Sequence, residues 1–208
     1  MHDIRANKPP RPDHERLFEV ASEQGGYFTA DQARACGFSR ASLSYHARRG
    51  RFLRVKRGLY RLAQYPASPR EDVIAAWLGA GRDEAVVSHE SALDILGLSD
   101  VVPERVHLTV PRSRRYRSTS PGVAIHTTTR PPDSGEVVTR DGIPVTSPAR
   151  SIVDAAEAGT APEQVVRAAH QAIEQGLTSP APLGAATRGH SSRVDRLIQR
   201  ALNDVATS

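Results

Sequence analysis

Apolar positions at helical spacing open the chain. Over residues 12–24, Leu17, Phe18 and Ala21 fall on one face, and Gly25-Gly26 stop the run. Tyr27 and Phe28 form an apolar lead-in. Thr29 then caps a short helix over 29–36, with Asp31 and Gln32 in its first turn, where the capping box and the helix dipole favour them. Gly37 makes a turn, Phe38 packs inward, and Ser39 caps a third helix that carries Leu43 and Ala47 one turn apart and ends at Gly50. After Gly50 the pattern changes to alternation. Phe52, Leu53 and Val55, then Leu59, Tyr60 and Leu62, flank Lys56-Arg57-Gly58, which predicts a two-stranded hairpin with a basic tip. Helix, glycine turn, helix and hairpin in this order outline a winged helix-turn-helix.

A turn-rich boundary follows at Tyr65-Pro66. Beyond it, Val73, Ile74 and Trp77 predict a helix over 69–78, with Trp77 in the core. Ser88 has the position of an N-cap for a helix over 89–96 that buries Ala92, Leu93, Ile95 and Leu96. Residues 105–110 alternate as a strand, and 122–129 read as the strand returning beside it. Two short strands, 136–140 and 143–146, meet at the turn Asp141-Gly142. Ser147-Pro148 starts a helix that Gly159 ends. Further helices are expected over 162–175, 182–188 and 192–205. The fold class is therefore α+β: a winged helix-turn-helix, then a mixed α/β domain with a small antiparallel sheet and C-terminal helices. The expected divisions are an arm over 1–11, a first domain over 12–65 and a second over 66–208.

Charge sharpens this outline. The formal net charge is +5 in 208 residues, but its distribution says more. Residues 1–65 carry 13 Lys/Arg against 6 Asp/Glu, while residues 66–208 carry 15 against 17. The excess belongs to the N-terminal part, as expected where a polyanion is met. Residues 39–61 hold eight Lys/Arg and no acid. Ser39, Arg40, Ser42, Tyr45, His46 and Arg49 are expected to face a DNA groove from the third helix. Arg51, Arg54, Lys56 and Arg57 are expected to hold phosphates from the wing. The competing reading is a solvated basic face without a partner.

Other features narrow the chemistry. A single cysteine, Cys36, allows no disulfide framework and suits a reducing cytoplasm. No apolar run approaches the roughly 18 residues of a membrane span, and the Pro-rich N-terminus lacks a signal-peptide core. The expected location is cytoplasmic. Eight scattered histidines and one cysteine give no zinc spacing, so no metal is expected. His107 and His126, on neighbouring strands, are candidates to pair across a sheet, as packing more readily than as metal ligands. The only lysines are Lys8 and Lys56, so the second domain has neither a Walker loop nor a conventional kinase lysine. His89, Asp94, Asp141, Arg150 and Asp154 are its polar candidates for catalysis. Caps and helix ion pairs, Arg150 with Asp154 at i,i+4 among them, account for the same residues.

Three stretches together resemble the AbiEi-type antitoxins and transcriptional regulators: GGYFTADQARACGFSRASLSYHARRGRFLRVKRGLYRL, VSHESALDILGL and RDGIPVTSPARSIVDAA. The resemblance extends over roughly residues 12–175. It implies a first domain that binds inverted repeats in its own promoter and represses the operon. It also implies a second domain that neutralises a cognate nucleotidyltransferase-like toxin. Arg112, Arg114, Arg115 and Arg117 are candidate partner contacts. Neutralisation by binding, by action on the toxin's target and by covalent modification all remain open. If the antitoxin acted as a kinase on the toxin, it would be an atypical one and would need Mg and a nucleoside triphosphate; otherwise no cofactor is expected. A third reading is a ligand-responsive regulator.

Overall fold

The computed structural model describes residues 11–114 and 121–206. The expected arm over 1–11 lies, but for Arg11, outside the described residues. The chain divides into two compact units, Met1–Leu78 and Gly79–Ser208.

In the first unit, α1 (His14–Ser22) starts at Asp13, whose carboxylate accepts the Arg16 amide at 3.0 Å. Leu17 and Ala21, one turn apart, take its inner face. Phe18, expected inward, lies about 100° further round the helix and is 44% exposed. The apolar lead-in is itself a strand, β1 (Tyr27–Thr29). Next come α2 (Ala30–Ala35), α3 (Arg40–Arg48), β2 (Phe52–Lys56) and β3 (Leu59–Leu62). The three strands form an antiparallel sheet in the order β1-β3-β2. Phe28, Phe38, Leu43 and Phe52 fill the space between helices and sheet, with Phe28 set edge-on to Phe52 at 5.0 Å.

The turn before β1 requires glycine. Gly26 has φ +89°, and a Cβ there would collide with the Tyr65 ring. The capping box at α2 forms as expected. Thr29 Oγ1 accepts the Gln32 amide at 3.1 Å, and Gln32 Oε1 accepts the Thr29 amide at 2.8 Å. Thr29→Ala should cost about 1 kcal/mol. A lower thermal midpoint of the full chain, measured by circular dichroism, checks this.

The first compact unit runs on to Leu78 and takes in most of the next helix, α4 (Glu71–Ala80), which is tied back to β1. Tyr27 Oη donates to Glu71 Oε2 at 2.6 Å and accepts the Ser68 amide at 3.1 Å. Trp77 is buried, as expected.

The second unit contains β4 (Val86–Val87), α5 (His89–Leu96), β5 (Val106–Pro111), β6 (Val123–Thr128), β7 (Val137–Arg140) and β8 (Ile143–Thr146). The helices α6 (Pro148–Ala158), α7 (Pro162–Glu174), α8 (Pro180–Ala186) and α9 (Ser192–Ala206) follow. The architecture is the expected α+β. Its five-stranded sheet, in the order β6-β5-β4-β8-β7, is mixed. β4/β5 and β7/β8 are antiparallel, whereas β4/β8 and β5/β6 are parallel. The strand over 122–129 does lie beside β5, as expected, but runs parallel to it instead of returning antiparallel. Val106 faces Val123 and His107 faces Ala124 in a parallel register, which needs a crossover between the strands in place of a tight turn.

The turn between β7 and β8 forms as expected. Asp141 and Gly142 both have positive φ, 52° and 77°, the combination a two-residue I′ turn demands. Pro148 opens α6, and Gly159 ends it at φ 99°. Ser88 and Ser147 precede their helices, but neither side chain makes a capping bond. The Ser147 carbonyl instead accepts Ser151 Oγ at 2.9 Å. Alanines on the inner faces of α6 and α7, including Ala155, Ala156, Ala168 and Ala172, are fully buried and let these helices approach closely. No helix among the described residues is long and apolar enough to cross a membrane.

Candidate nucleic-acid interface

The helical period sorts α3 into two faces. Leu43 and His46 point inward, while Arg40, Ala41, Ser44, Tyr45, Arg48 and Arg49 are exposed. Ser39 is exposed, and its hydroxyl caps the helix by accepting the Ser42 amide at 3.1 Å. Ser42 is half-buried. Arg49 closes α3, with its guanidinium carbon 5.6 Å from the centre of the Tyr45 ring.

His46 needs correcting. It was expected to face DNA, but it is only 6% exposed and its ring packs among His14, Phe38 and Phe52. The cause is spacing: His46 lies three residues after Leu43, on the same inner stripe. Burial, with His14 and Arg51 adding to it, holds its pKa below the usual histidine value. A neutral ring among aromatic rings follows.

On the wing, Arg51, Arg54, Lys56 and Arg57 are all exposed. Strand alternation alone would place Arg54 and Arg57, three residues apart, on opposite faces. A register shift between Arg54 and Lys56 inserts one extra residue, Val55. Arg54 and Arg57 consequently both line a groove of about 460 Å³ shared with α2 and α3. Arg34, Arg40, Ser44 and Tyr60 line it as well. Four arginines thus line one groove, a donor set suited to phosphate oxygens. Asp31 also lines the channel and is paired with Arg34 at 2.6 Å.

Three exposed residues of this surface were missed in the sequence. Ser44 and Arg48 follow Arg40 at four-residue steps, so helical periodicity contained the signal for both. Arg34 sits on α2, and no local pattern points from it to the wing.

Of the polar candidates of the second unit, Asp94 and Asp141 stand apart, whereas Arg150 pairs with Asp154 and lies within electrostatic reach of His89. Asp94 is exposed on α5. Asp141 occupies the β7–β8 turn, at the opposite end of β8 from α6. Arg150 and Asp154 pair on α6, with Arg150 Nε 2.9 and 2.8 Å from the two carboxylate oxygens, and Glu136 accepts from Arg150 Nη1 at 3.3 Å. Burial works against the charge of Arg150, but its two carboxylate partners outweigh this and raise its pKa. Arg114 pairs with Glu84, and Arg112 is exposed on a single 3-10 turn. Arg115 and Arg117 lie outside the described residues.

His89 also joins a histidine group. Its ring stacks on His126 at 3.5 Å between centroids, and His126 stacks in turn against His107 at 5.2 Å. His107 Nδ1 and His126 Nε2 are 3.0 Å apart, so one must be protonated and the other a lone pair. Thr109 donates to Ser88 Oγ at 2.8 Å, and His89 Nδ1 hydrogen-bonds the same oxygen, also at 2.8 Å. The pairing of His107 and His126 was anticipated. The third ring was not, because His89 reaches them through a left-handed backbone, φ 54°, that sequence periodicity does not reveal. Among the described residues, no group of three or more His, Cys, Asp or Glu is placed to hold a metal ion.

A winged helix-turn-helix with a cationic channel is thus joined in one chain to an α/β unit. Residues 15–63, which span α1 to the wing, match the family model described as transcriptional regulator, AbiEi antitoxin. The crystal structure of the RV2827C protein from Mycobacterium tuberculosis shares the fold with a TM-score of 0.60. That likeness covers 91% of this chain and 76% of that one at 15% sequence identity. Residues 15–63 are thus similar to the AbiEi-type transcriptional regulators, and the chain as a whole shares the fold of that structure. Among curated proteins, none matches its sequence.

Proposed function

We propose that the protein is a DNA-binding antitoxin that represses its own operon. The N-terminal unit binds inverted repeats in the promoter, and the C-terminal unit engages a cognate nucleotidyltransferase-like toxin. The observation that carries the DNA reading is the channel that Arg34, Arg40, Arg54 and Arg57 line between α2, α3 and the wing. A solvated basic face would spread these charges apart to reduce their repulsion, whereas a phosphodiester strand requires them along one line. The toxin reading is supported by the AbiEi-type resemblance of residues 15–63.

The test is binding of the full chain to the duplex upstream of its own gene, against a scrambled duplex, at about 0.15 M salt. The upstream duplex should bind about 10³-fold more tightly or better. Equal affinity for the two would leave only a non-specific polycation. Co-expression with the neighbouring gene product, followed by mass measurement of what co-purifies, tests the second half.

A further inference from the structure

The two edges of the five-stranded sheet differ. β7, at one edge, is four residues long, ends on the exposed Arg140 and stands between Glu136 and Asp141. Charges of this kind keep a strand edge from pairing with another chain. β6, at the other edge, is six residues long and reads Val-Ala-Ile-His-Thr-Thr, with no Lys, Arg, Asp, Glu or Pro. Its β-branched residues suit a paired strand, and none of its side chains blunts the edge.

The register fixes which backbone groups this edge presents. The Val106 amide donates to the Gly122 carbonyl at 2.8 Å, so Gly122 turns its carbonyl toward β5. Successive residues of a strand turn these groups to alternate sides. Ala124, His126 and Thr128 therefore bond to β5, while Val123, Ile125 and Thr127 direct their N–H and C=O groups away from the sheet. Among the described residues, none bonds to these outward groups. Val123 and Ile125 are half-buried and Thr127 is exposed. All three side chains take the face opposite the His126 ring.

The outward set is centred on Ile125 and is complementary to itself. Let a second copy run antiparallel with Ile125 opposite its own counterpart. Val123 of each copy then faces Thr127 of the other. Each of the three pairs exchanges two bonds, about six in all, and no outward group of either strand is left over. Two Ile side chains meet on the axis, an apolar cross-strand pair. A different partner would need a strand of the same length with an equally uncharged edge. A second copy supplies one wherever the chain is made.

We infer that the β6 edge is an interface between two copies of this chain, joined as an antiparallel β6–β6 pair with its two-fold axis at Ile125. The inference is independent of the DNA-binding reading, and its test contains no DNA.

Sedimentation equilibrium of the full chain at micromolar concentration should give twice the 22.5 kDa of one chain. Thr127→Pro removes an outward N–H and leaves the bonds to β5 in place, so it should weaken the dimer about tenfold or more. Ile125→Lys and Ile125→Glu should each be monomeric. Mixing the two should restore a dimer, because only a two-fold axis here sets residue 125 against itself. Ile125→Cys should cross-link under mild oxidation, since the Cα atoms of such a pair lie about 5.5 Å apart. The natural Cys36 is buried and should not contribute. Thr127→Cys, about 14 Å from its counterpart by strand rise, should not cross-link. A monomer throughout the micromolar range would overturn the proposal. Slow exchange of the Val123, Ile125 and Thr127 amides in that monomer would show the edge covered by the chain itself. A dimer unmoved by Thr127→Pro and by both charges at position 125 would overturn it as well, placing the contact elsewhere.

Discussion

Replacing Arg40 and Arg54 together by alanine should weaken operator binding by about 10²- to 10³-fold and reduce the slope of log K against log salt by about two. Both side chains line the channel between α3 and the wing, one from each wall. A strand lying there takes charge-assisted hydrogen bonds from both at once. Each is worth about 1.5–2 kcal/mol, the lower part of the range for bonds to charged groups. Each also displaces roughly one condensed counterion, which is why the salt slope counts the contacts independently of their strength. Both residues are exposed, so the folded chain does not depend on them and its thermal midpoint should stay within about 2 °C. A loss below fivefold with an unchanged slope would place the duplex on another face of the unit. Arg48, exposed on the same α3 stripe as Arg40 but not lining the channel, is the matched control and should change affinity less.

The sequence disclosed the parts of this interface that rest on local rules. Thr29 and Gln32 form their reciprocal cap because the two bonds depend only on spacing. Gly37, with φ 81°, and Ser39 mark the turn into α3 for the same reason. Long-range pairing was less legible. β1 is three residues long and β4 two, too short for alternation to show, and each exists only because a distant strand completes its hydrogen bonds. The parallel register of β5 and β6 was hidden too, since alternation reports which face a residue takes but not which way the neighbouring strand runs. His46 illustrates another limit. A histidine on a basic helix reads as a contact residue, although its spacing from Leu43 puts it on the inner stripe, where the Phe38 and Phe52 rings pack against it. Asp94 and Asp141 stand apart from the other C-terminal candidates because a list of polar residues carries no information about where the fold will place each.

The second large effect lies in the histidine stack of the C-terminal unit and concerns pH. Burial and the neighbouring His126 and His107 rings, with Arg150 and His190 adding to them, hold His89 down to about 2. Burial and His107 hold His126 down to about 4. Burial also lowers His107, with Glu90 opposing and Arg105 assisting. Asp154 runs the other way: burial raises its carboxyl against the pull of Arg150. In an unfolded chain each imidazole titrates near 6.5. A depressed histidine contributes its full stability above that value, because both states are then neutral there. Below it, the unfolded chain takes up protons that the folded stack refuses, so stability falls as pH drops from about 6.5 toward the folded values. His89, nearly fully buried, alone should cost about 3 kcal/mol between pH 6.5 and pH 4. His126 is more open to water, which screens its share. Urea titrations followed by circular dichroism should show this loss, and the His89 ring should show no NMR titration between pH 8 and 5. His89→Asn is the informative variant, since asparagine accepts the left-handed backbone at φ 54° and carries no titrating ring. It should flatten the slope of stability against pH by about 1.4 kcal/mol per unit below pH 6. An unchanged slope would show that the acid response comes from carboxylates held below their usual range, such as Glu157 with its Ser191 hydrogen bonds, and not from the stacked rings.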